Sequence, residues 1–244
     1  MGMQRPSRDT SSTPTKKSKF RESVESLAFT IVFVWVFTNH IAQATEVPTE
    51  SMQPTILPGD HFFLDKLNFP NNVPTSLQKY LPVRNVHRGE IIAFWSPENR
   101  QIRLVKRVIG LPGETVEIRN RDVYINGKKL DEPYAVHVDP NTYPLAPWVP
   151  QVLQKRDNFG PVVVPPDHYF MMGDNRDNSN DSRFWGFAPR QDFIGTPLFV
   201  YWSFASNSTE SPDWTIRDWA LHYEDIVTHF FTKTRWLRTG NLPR

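Results

Sequence analysis

Residues 91–127, IIAFWSPENRQIRLVKRVIGLPGETVEIRNRDVYING, decide the fold class of this chain. Apolar and β-branched residues concentrate at positions 91–95, 102–109 and 123–125, and Thr115–Arg119 alternates between polar and apolar residues. Short runs of this kind, separated by polar turns, are typical of β-strands. The last run leads directly into an Asn-Gly pair, the strongest short signal for a tight hairpin. We therefore predict a sheet built from sequential strands.

The flanking sequence extends this β prediction. Residues 169–172 and 198–204 are two further strand candidates. Residues 131–168 contain eight prolines and are predicted to be rich in loops, as an insertion or a second lobe. The whole chain has 22 prolines in 244 residues. That is about 9%, against about 5% in an average protein, and it argues against a long helical bundle.

One helix is predicted near the C-terminus, because apolar residues recur on one helical face. These residues are Ile216, Trp219, Ala220, Tyr223, Val227, Phe230 and Phe231. Such a face ordinarily docks against the rest of the domain. A second interpretation places it on a membrane surface.

The N-terminal residues divide into a basic tail and an uncharged segment. Residues 1–24 hold six basic side chains, and residues 1–19 are rich in Ser, Thr, Pro and Lys, which is typical of a disordered tail. Residues 26–45 carry no charge, and twenty helical residues span about 30 Å, the thickness of a bilayer core. We predict a transmembrane anchor at residues 25–45. The positive-inside rule then puts the tail in the cytoplasm and the remainder outside.

Two other interpretations of the uncharged segment stay open. It fits a buried helix of a soluble protein, although nothing charged would then face water over twenty residues. It also fits a cleaved secretory signal, since Ala42-Gln43-Ala44 has the small residues of a cleavage site. The long flank with its two glutamates is unusual for such a signal.

The composition bounds the function. Cysteine is absent, which excludes disulfides, iron–sulfur clusters, thiolate zinc sites and a cysteine nucleophile. The formal net charge is only +2, so we expect no nucleic-acid partner. The seven histidines follow no zinc-binding or triad motif, and we expect no metal and no cofactor.

Two segments contain candidate catalytic residues, and the first is VPTESMQPTILPGD, residues 47–60. Its three prolines stiffen an extended stretch that follows the predicted anchor. Ser51 on such a stretch could act as a nucleophile. From the spacing alone it could equally be a turn hydroxyl.

The second segment is IRLVKRVIG, residues 102–110. In a strand, Lys106 shares a face with Leu104 and Val108. Burial between apolar neighbours lowers the pKa of a lysine and turns it into a general base. The alternative is an edge-strand lysine that prevents aggregation. Since the opposite face is apolar too, the periodicity does not choose between the faces.

A third segment, GDNRDNSNDSRFWG at residues 173–186, is long and specific. Together with the serine and lysine segments it resembles the signature boxes of bacterial type I signal peptidase, in that family's order and after a membrane anchor. The framework spans residues 27–204. The resemblance implies a mainly β, antiparallel catalytic domain at residues 46–205, with an inserted β lobe at about residues 112–168. Residues 206–244 form a C-terminal segment that matches none of the boxes.

The resemblance also implies roles for single residues. Ser51 is similar to the nucleophile and Lys106 to the general base of a Ser/Lys dyad. Ser179 matches the residue that orients the lysine, and Thr49 joins the Ser51 backbone N–H in an oxyanion hole. The remaining matches are a supporting ion pair, Asp181 and Arg183, and the lining of small substrate pockets, Val47, Met52, Ile56, Leu104 and Val105.

The family is a membrane-bound serine endopeptidase. The implied partners are signal peptides of exported preproteins, cut after small residues in an Ala-x-Ala pattern, and the lipid of the cell (inner) membrane. A self-cleaving repressor-type Ser/Lys protease is one alternative, and the hydrophobic segment argues against it. A non-catalytic membrane-anchored β adaptor is another, and the joint presence of Ser51, Lys106 and Ser179 argues against that one.

Overall fold

The computed structural model describes residues 19–46, 49–66, 69, 80, 84–205, 215–241 and 243. The strands are β1 (Ala42–Glu46), β2 (Asp60–Asp65), β3 (Ile91–Trp95), β4 (Arg103–Gly110), β5 (Thr115–Arg119), β6 (Asp122–Ile125), β7 (Lys128–Lys129), β8 (Phe159–Val163), β9 (His168–Met172), β10 (Ala188–Pro189) and β11 (Phe193–Ser203). The α-helices are α1 (Lys19–Val36), α2 (Gln151–Asp157), α3 (Ser182–Trp185) and α4 (Ile216–Lys233).

Two antiparallel sheets form the fold. A seven-stranded sheet has the order β1-β2-β11-β3-β4-β9-β10, and a four-stranded sheet has the order β7-β6-β5-β8. Three clusters of buried apolar side chains pack against them. The mainly antiparallel β fold is therefore confirmed. Strand β4 lies between β3 and β9, so the loop that follows β9 starts beside β4.

The Asn-Gly pair forms the predicted hairpin turn. Asn126 and Gly127 have φ values of 51° and 79°, and positive φ at both central residues is what a type I′ turn requires. The Asn126 side chain accepts a hydrogen bond from the backbone N–H of Thr115 at 2.8 Å. The turn joins β6 to β7, a two-residue strand that the sequence alone did not predict.

Strand β11 is longer than predicted. It begins at Phe193, five residues before the predicted start. Gly195 and Pro197 weaken the strand pattern in its first half. Gly195 lies so close to the backbone carbonyl of Asp65 that no side chain fits there. Gly195, which weakened the sequence prediction of this strand, thus permits the close approach of β11 to β2.

The proline-rich region contains more regular structure than predicted. Helix α2 and strand β8 lie within residues 131–168, where mostly loops were expected. Strand β8 pairs with β5 and completes the four-stranded sheet. It is an edge strand, and an edge strand tolerates a proline such as Pro161.

The predicted helical anchor at residues 25–45 ends too late. Helix α1 stops at Val36, a π-helical turn covers Phe37–Ile41, and the next residues form β1. Strand β1 pairs with β2 along its whole length, which satisfies backbone groups that a helix would otherwise bond internally. Of the helices in the described part, none is both long and apolar enough to cross a bilayer.

The apolar face of the C-terminal helix does not dock as expected. Ile216, Val227 and Phe231 of α4 are 91%, 78% and 80% exposed. The prediction that this face packs against the domain was wrong for these residues. Phe230 instead contacts Trp202 of β11, with ring centroids 6.4 Å apart. A capping box at Thr215 and Asp218 begins the helix.

Candidate active site

Ser51 lies in a short 3₁₀ turn, Glu50–Met52, on the segment between β1 and β2. It is 5% exposed. The backbone N–H of Asn175, in the loop after β9, donates to the Ser51 carbonyl at 3.1 Å, and the N–H of Ile56 donates to the Met52 carbonyl at 2.9 Å. These bonds fix the turn on both sides of the serine and hold its hydroxyl towards β4.

Lys106 points from the middle of β4 into the same site. Its side chain is 3% exposed, and its ammonium nitrogen Nζ donates a hydrogen bond to Ser51 Oγ. The neighbouring Arg107 is equally buried on the other side of the strand. Both faces of β4 are therefore covered here, which explains why periodicity could not choose between them.

Burial lowers the pKa of Lys106 to about 8. The carboxylates of Asp181 and Asp174 oppose this shift, and the Arg183 guanidinium adds to it. A lysine with this pKa is neutral in roughly a tenth of molecules at pH 7, far more often than a lysine in water. Only the neutral amine can accept a proton from a serine hydroxyl.

Thr49 places a second hydroxyl beside the serine. Its Oγ1 is 3.2 Å from Ser51 Oγ, and either atom can donate. Thr49 precedes the 3₁₀ turn in an extended conformation and is exposed. The structure thus brings the side chains of Ser51, Lys106 and Thr49 together, and the roles assigned to them stay predictions.

Ser179 lies in the same neighbourhood without a hydrogen bond to Lys106. Its Oγ is buried and makes no hydrogen bond of regular geometry in the described part of the chain, although it lies close enough to the Asp181 carboxylate to help lower the pKa of that carboxyl. A side-chain carbon on Gly173 would collide with both Ser179 Oγ and the Ser51 carbonyl. Gly173 therefore separates the two serines by one small residue, and the lysine-orienting role of Ser179 stays a prediction.

Asp181 and Arg183 form a buried bidentate ion pair. Arg183 Nε and Nη2 donate to the Asp181 carboxylate at 2.8 Å each, and neither side chain is more than 1% exposed. Burial raises the pKa of the Asp181 carboxyl, but the Arg183 guanidinium and weaker contributions from Ser179 and Lys106 leave it below the ordinary value. Asp181 also accepts a hydrogen bond from the Gly173 N–H at 3.1 Å, so the Asp181–Arg183 pair holds the start of the loop that follows β9.

A second buried ion pair beside the site was missed from the sequence. Arg107 Nε and Nη2 donate to the two oxygens of Asp174 at 2.8 and 2.6 Å. Thr55 Oγ1 donates to Asp174 as well, at 2.5 Å. An available signal was the adjacency of Arg107 to Lys106, combined with the acidic residues of the 173–186 segment. This pair ties β4 to both the serine segment and the loop after β9.

The four predicted pocket residues in the described part of the chain divide between two apolar clusters. Met52 and Ile56 are fully buried in one apolar cluster, and Val105 packs against that cluster. Leu104, next along the strand, packs against a different cluster. Val47 lies outside the described residues. The structure therefore groups Met52, Ile56 and Val105, and places Leu104 apart from them.

Comparison with known proteins shows what this chain is similar to. A family model described as "Signal peptidase, peptidase S26" matches residues 20–202. A signal peptidase I from Leptolyngbya laminosa is 33% identical over 204 residues, which cover 81% of this chain and 87% of the relative. Signal peptidase I of Rickettsia typhi is 33% identical, with coverage of 78% and 83%. Signal peptidase I P of Bacillus subtilis subsp. natto is 33% identical, with coverage of 78% and 93%.

The match defines the class of this protein first: it is a serine peptidase, a hydrolase of peptide bonds. More narrowly, the chain belongs to the signal peptidase family, peptidase S26. The match ends at residue 202, so α4 and the residues after it lie beyond the family model.

Proposed function

We propose that this chain removes signal peptides from exported preproteins by means of a Ser51/Lys106 dyad. The observation that carries the proposal is the buried hydrogen bond from Lys106 Nζ to Ser51 Oγ. A lysine with its pKa lowered to about 8 can act as the base that a serine nucleophile needs. Family membership supports signal peptides as the substrates.

The reaction proceeds in two halves. Neutral Lys106 takes the proton of Ser51 as Oγ attacks the scissile carbonyl, and then delivers that proton to the leaving amine, giving an ester on Ser51. Lys106 next takes a proton from water, whose oxygen attacks the ester carbonyl. As the bond to Ser51 Oγ breaks and the signal peptide leaves, Lys106 returns that proton to Oγ, which restores the neutral amine and the free serine. The Thr49 hydroxyl and the Ser51 N–H stabilise the oxyanion in both halves.

Small-residue specificity follows from the apolar side chains beside Ser51. Met52, Ile56 and Val105 pack closely, so a site formed against them admits a methyl group and excludes larger side chains. A preprotein with Ala, Gly or Ser before the cut should be processed. Leu or Phe at that position should lower kcat/KM by about 100-fold, because binding them requires displacing packed atoms.

The test measures how the wild-type enzyme and the Val105→Ala variant cleave each of these preproteins. The cleavage site is mapped by mass spectrometry. Val105→Ala should relax the selectivity by roughly 10-fold. It is preferable to Ile56→Ala, because Ile56 is fully buried and its truncation also opens a destabilising cavity. Val163→Ala, at an exposed position of β8, is the matched control. Efficient wild-type cleavage after Leu or Phe would sink the specificity proposal.

We also propose that the chain is held in the membrane by its N-terminal segment. The signal peptidase I family is generally membrane-associated. Phe29, Ile31 and Phe33 of α1 are more than half exposed, and no residue of the helix is buried. Exposed apolar surface of this kind fits a lipid environment.

The expected topology puts the tail in the cytoplasm and the catalytic domain outside. Protease added to intact spheroplasts should degrade the domain after residue 46 and spare the N-terminal tail. A cytoplasmic marker protein that stays intact controls for leakage. Protection of the catalytic domain in such spheroplasts would show that this topology is wrong.

A further inference from the structure

Residues 235–241 fold back onto the segment that carries Ser51. A short 3₁₀ turn, Trp236–Arg238, follows α4. Asp60, the first residue of β2, is fully buried. Arg238 Nε donates to its two carboxylate oxygens at 2.9 and 3.1 Å, and Arg238 Nη2 donates at 2.5 Å. This ion pair joins the C-terminal segment to the beginning of β2.

Asp60 collects further donors from both segments. Ser203 Oγ donates to it at 2.6 Å, and the backbone N–H of Leu57 donates at 2.8 Å. Arg235 Nη1 and Nη2 donate to the carbonyl of Pro58 at 3.1 and 3.2 Å. The backbone bonds between Val200 and residues 240 and 241, at 2.8 and 3.0 Å, hold the end of the chain on β11. The loop after Ser51 is therefore held at residues 57, 58 and 60.

A path of contacts continues from Arg238 to the lysine strand. Arg238 Nη2 also donates to the Thr55 carbonyl at 3.0 Å. Thr55 Oγ1 donates to Asp174, whose carboxylate is paired with Arg107. Arg107 is adjacent to Lys106 on β4. The Arg238 guanidinium thus restrains the serine segment directly and the lysine strand through the side chains of Thr55, Asp174 and Arg107.

We propose that Arg238 is a positioning residue for the Ser51/Lys106 pair, holding the serine segment in register with β4. The inference rests on the proposed function. The ion pair of Arg238 and Asp60 is partly buried, and such a pair is weak evidence for a stabilising role, because desolvation offsets much of the attraction. It does fix geometry, and proton transfer from Ser51 to Lys106 requires hydrogen-bond geometry. A shift of about 1 Å in such a pair can cost about 100-fold in rate.

The experiment compares full-length wild type with Arg238→Ala and Arg238→Gln, using cleavage of a preprotein and amide hydrogen exchange of residues 50–60. Arg238→Ala should lower kcat about 10- to 100-fold, leave KM within about two-fold, and speed exchange in residues 50–60. Arg238→Gln keeps an amide donor, so its kcat and its exchange rate in residues 50–60 should lie between those of wild type and Arg238→Ala. The control is Arg119→Ala, which removes an exposed arginine bonded to Glu117 at 2.6 and 2.5 Å and should change nothing.

A merely structural role predicts a lower melting temperature with unchanged kcat below the transition. Folded Arg238→Ala with kcat within two-fold of wild type would therefore overturn the proposal. If Arg238→Ala does not fold, wild-type kcat in Arg238→Gln overturns it in the same way. If wild type itself fails to cleave preproteins, the proposed function fails. Amide hydrogen exchange is then the remaining test of the positioning role. An unchanged exchange rate in residues 50–60 of the variants overturns that role.

Discussion

Replacing Lys106 with Met is expected to lower kcat/KM by about 10⁴-fold or more and to leave the fold intact. Met fills a similar volume, so the loss reports the missing base rather than a cavity. Lys106→Arg should be as inactive, because guanidinium stays protonated and cannot accept the Ser51 proton. Lys129→Met removes an exposed lysine from β7 and should keep full activity. Cleavage of a preprotein is the measurement, and near-wild-type turnover in Lys106→Arg would refute the assignment.

Lys106→Met should also raise the free energy of unfolding of the protein. Burial lowers the pKa of Lys106 from 10.5 to about 8 in the folded state. Below pH 8 the folded protein therefore carries a buried charge that the unfolded chain solvates better. The shift corresponds to a cost on the order of 3 kcal/mol at neutral pH. Lys106→Met should recover about 1–3 kcal/mol of this in denaturant unfolding.

The pH dependence gives the sign of this effect. The unfolded state binds more protons than the folded state between pH 8 and 10.5, so wild-type stability relative to the variant rises with pH over this window. Below about pH 8 the free energy of unfolding of Lys106→Met should exceed that of wild type by a constant amount. This difference should shrink as the pH rises towards 10.5. A difference that is zero at neutral pH would mean that the lysine is not buried as described.

The second large effect concerns the pair of Asp181 and Arg183. Arg183→Met should destabilise the protein by about 3–5 kcal/mol, because it leaves the Asp181 carboxylate buried without its partner. The double variant Asp181→Asn/Arg183→Met should cost less than the sum of the two single changes, by about 1–3 kcal/mol. Denaturant unfolding of all four proteins measures this coupling, and strict additivity would contradict it. Arg119→Ala controls for loss of an exposed arginine and should leave the melting temperature unchanged.

Arg183→Met has a separate consequence for Lys106. The Arg183 guanidinium lowers the pKa of this lysine, whereas the Asp181 carboxylate raises it. Removing the guanidinium should therefore raise the lysine pKa and move the acid limb of kcat/KM to higher pH. Asp181→Asn should move the limb to lower pH. Shifts in the same direction for both variants would contradict this electrostatic account.

The strands were predictable where neighbouring residues decide them. The run at residues 91–95 coincides with β3, and the Asn-Gly pair gave the correct turn. The end of the N-terminal helix depends on β2, which pairs with β1 from a distance in sequence. Strand β8 was hidden by Pro161, whose position at a sheet edge only the folded chain reveals. The periodicity of a segment depends only on its own residues, and it does not show which strand the segment pairs with in the sheet.

The candidate site divides in the same way. The motif segments named Ser51, Lys106 and Thr49, whose side chains lie in contact around Ser51, and Asp181 and Arg183, which form an ion pair with each other. The roles assigned to these residues stay predictions. The pairing of Arg107 with Asp174 joins residues 67 apart in sequence, and the adjacency of Arg107 to Lys106 did not show which acidic residue of the 173–186 segment it would pair with. The contact of Arg238 with Asp60 spans 178 residues and was equally out of reach. Long-range charge pairs require the fold to be known.

The most direct test of the dyad is the rate of Ser51 acylation as a function of pH. Full-length enzyme in detergent is mixed with a peptide ester ending in Ala-x-Ala, quenched rapidly, and the modified residue identified by mass spectrometry. The account predicts an acyl group on Ser51 alone, forming at a rate that rises with pH through a midpoint near 8, and no acylation in Ser51→Ala or Lys106→Met. Acylation at another residue, or a Lys106→Met variant that acylates Ser51 at the wild-type rate, would contradict it.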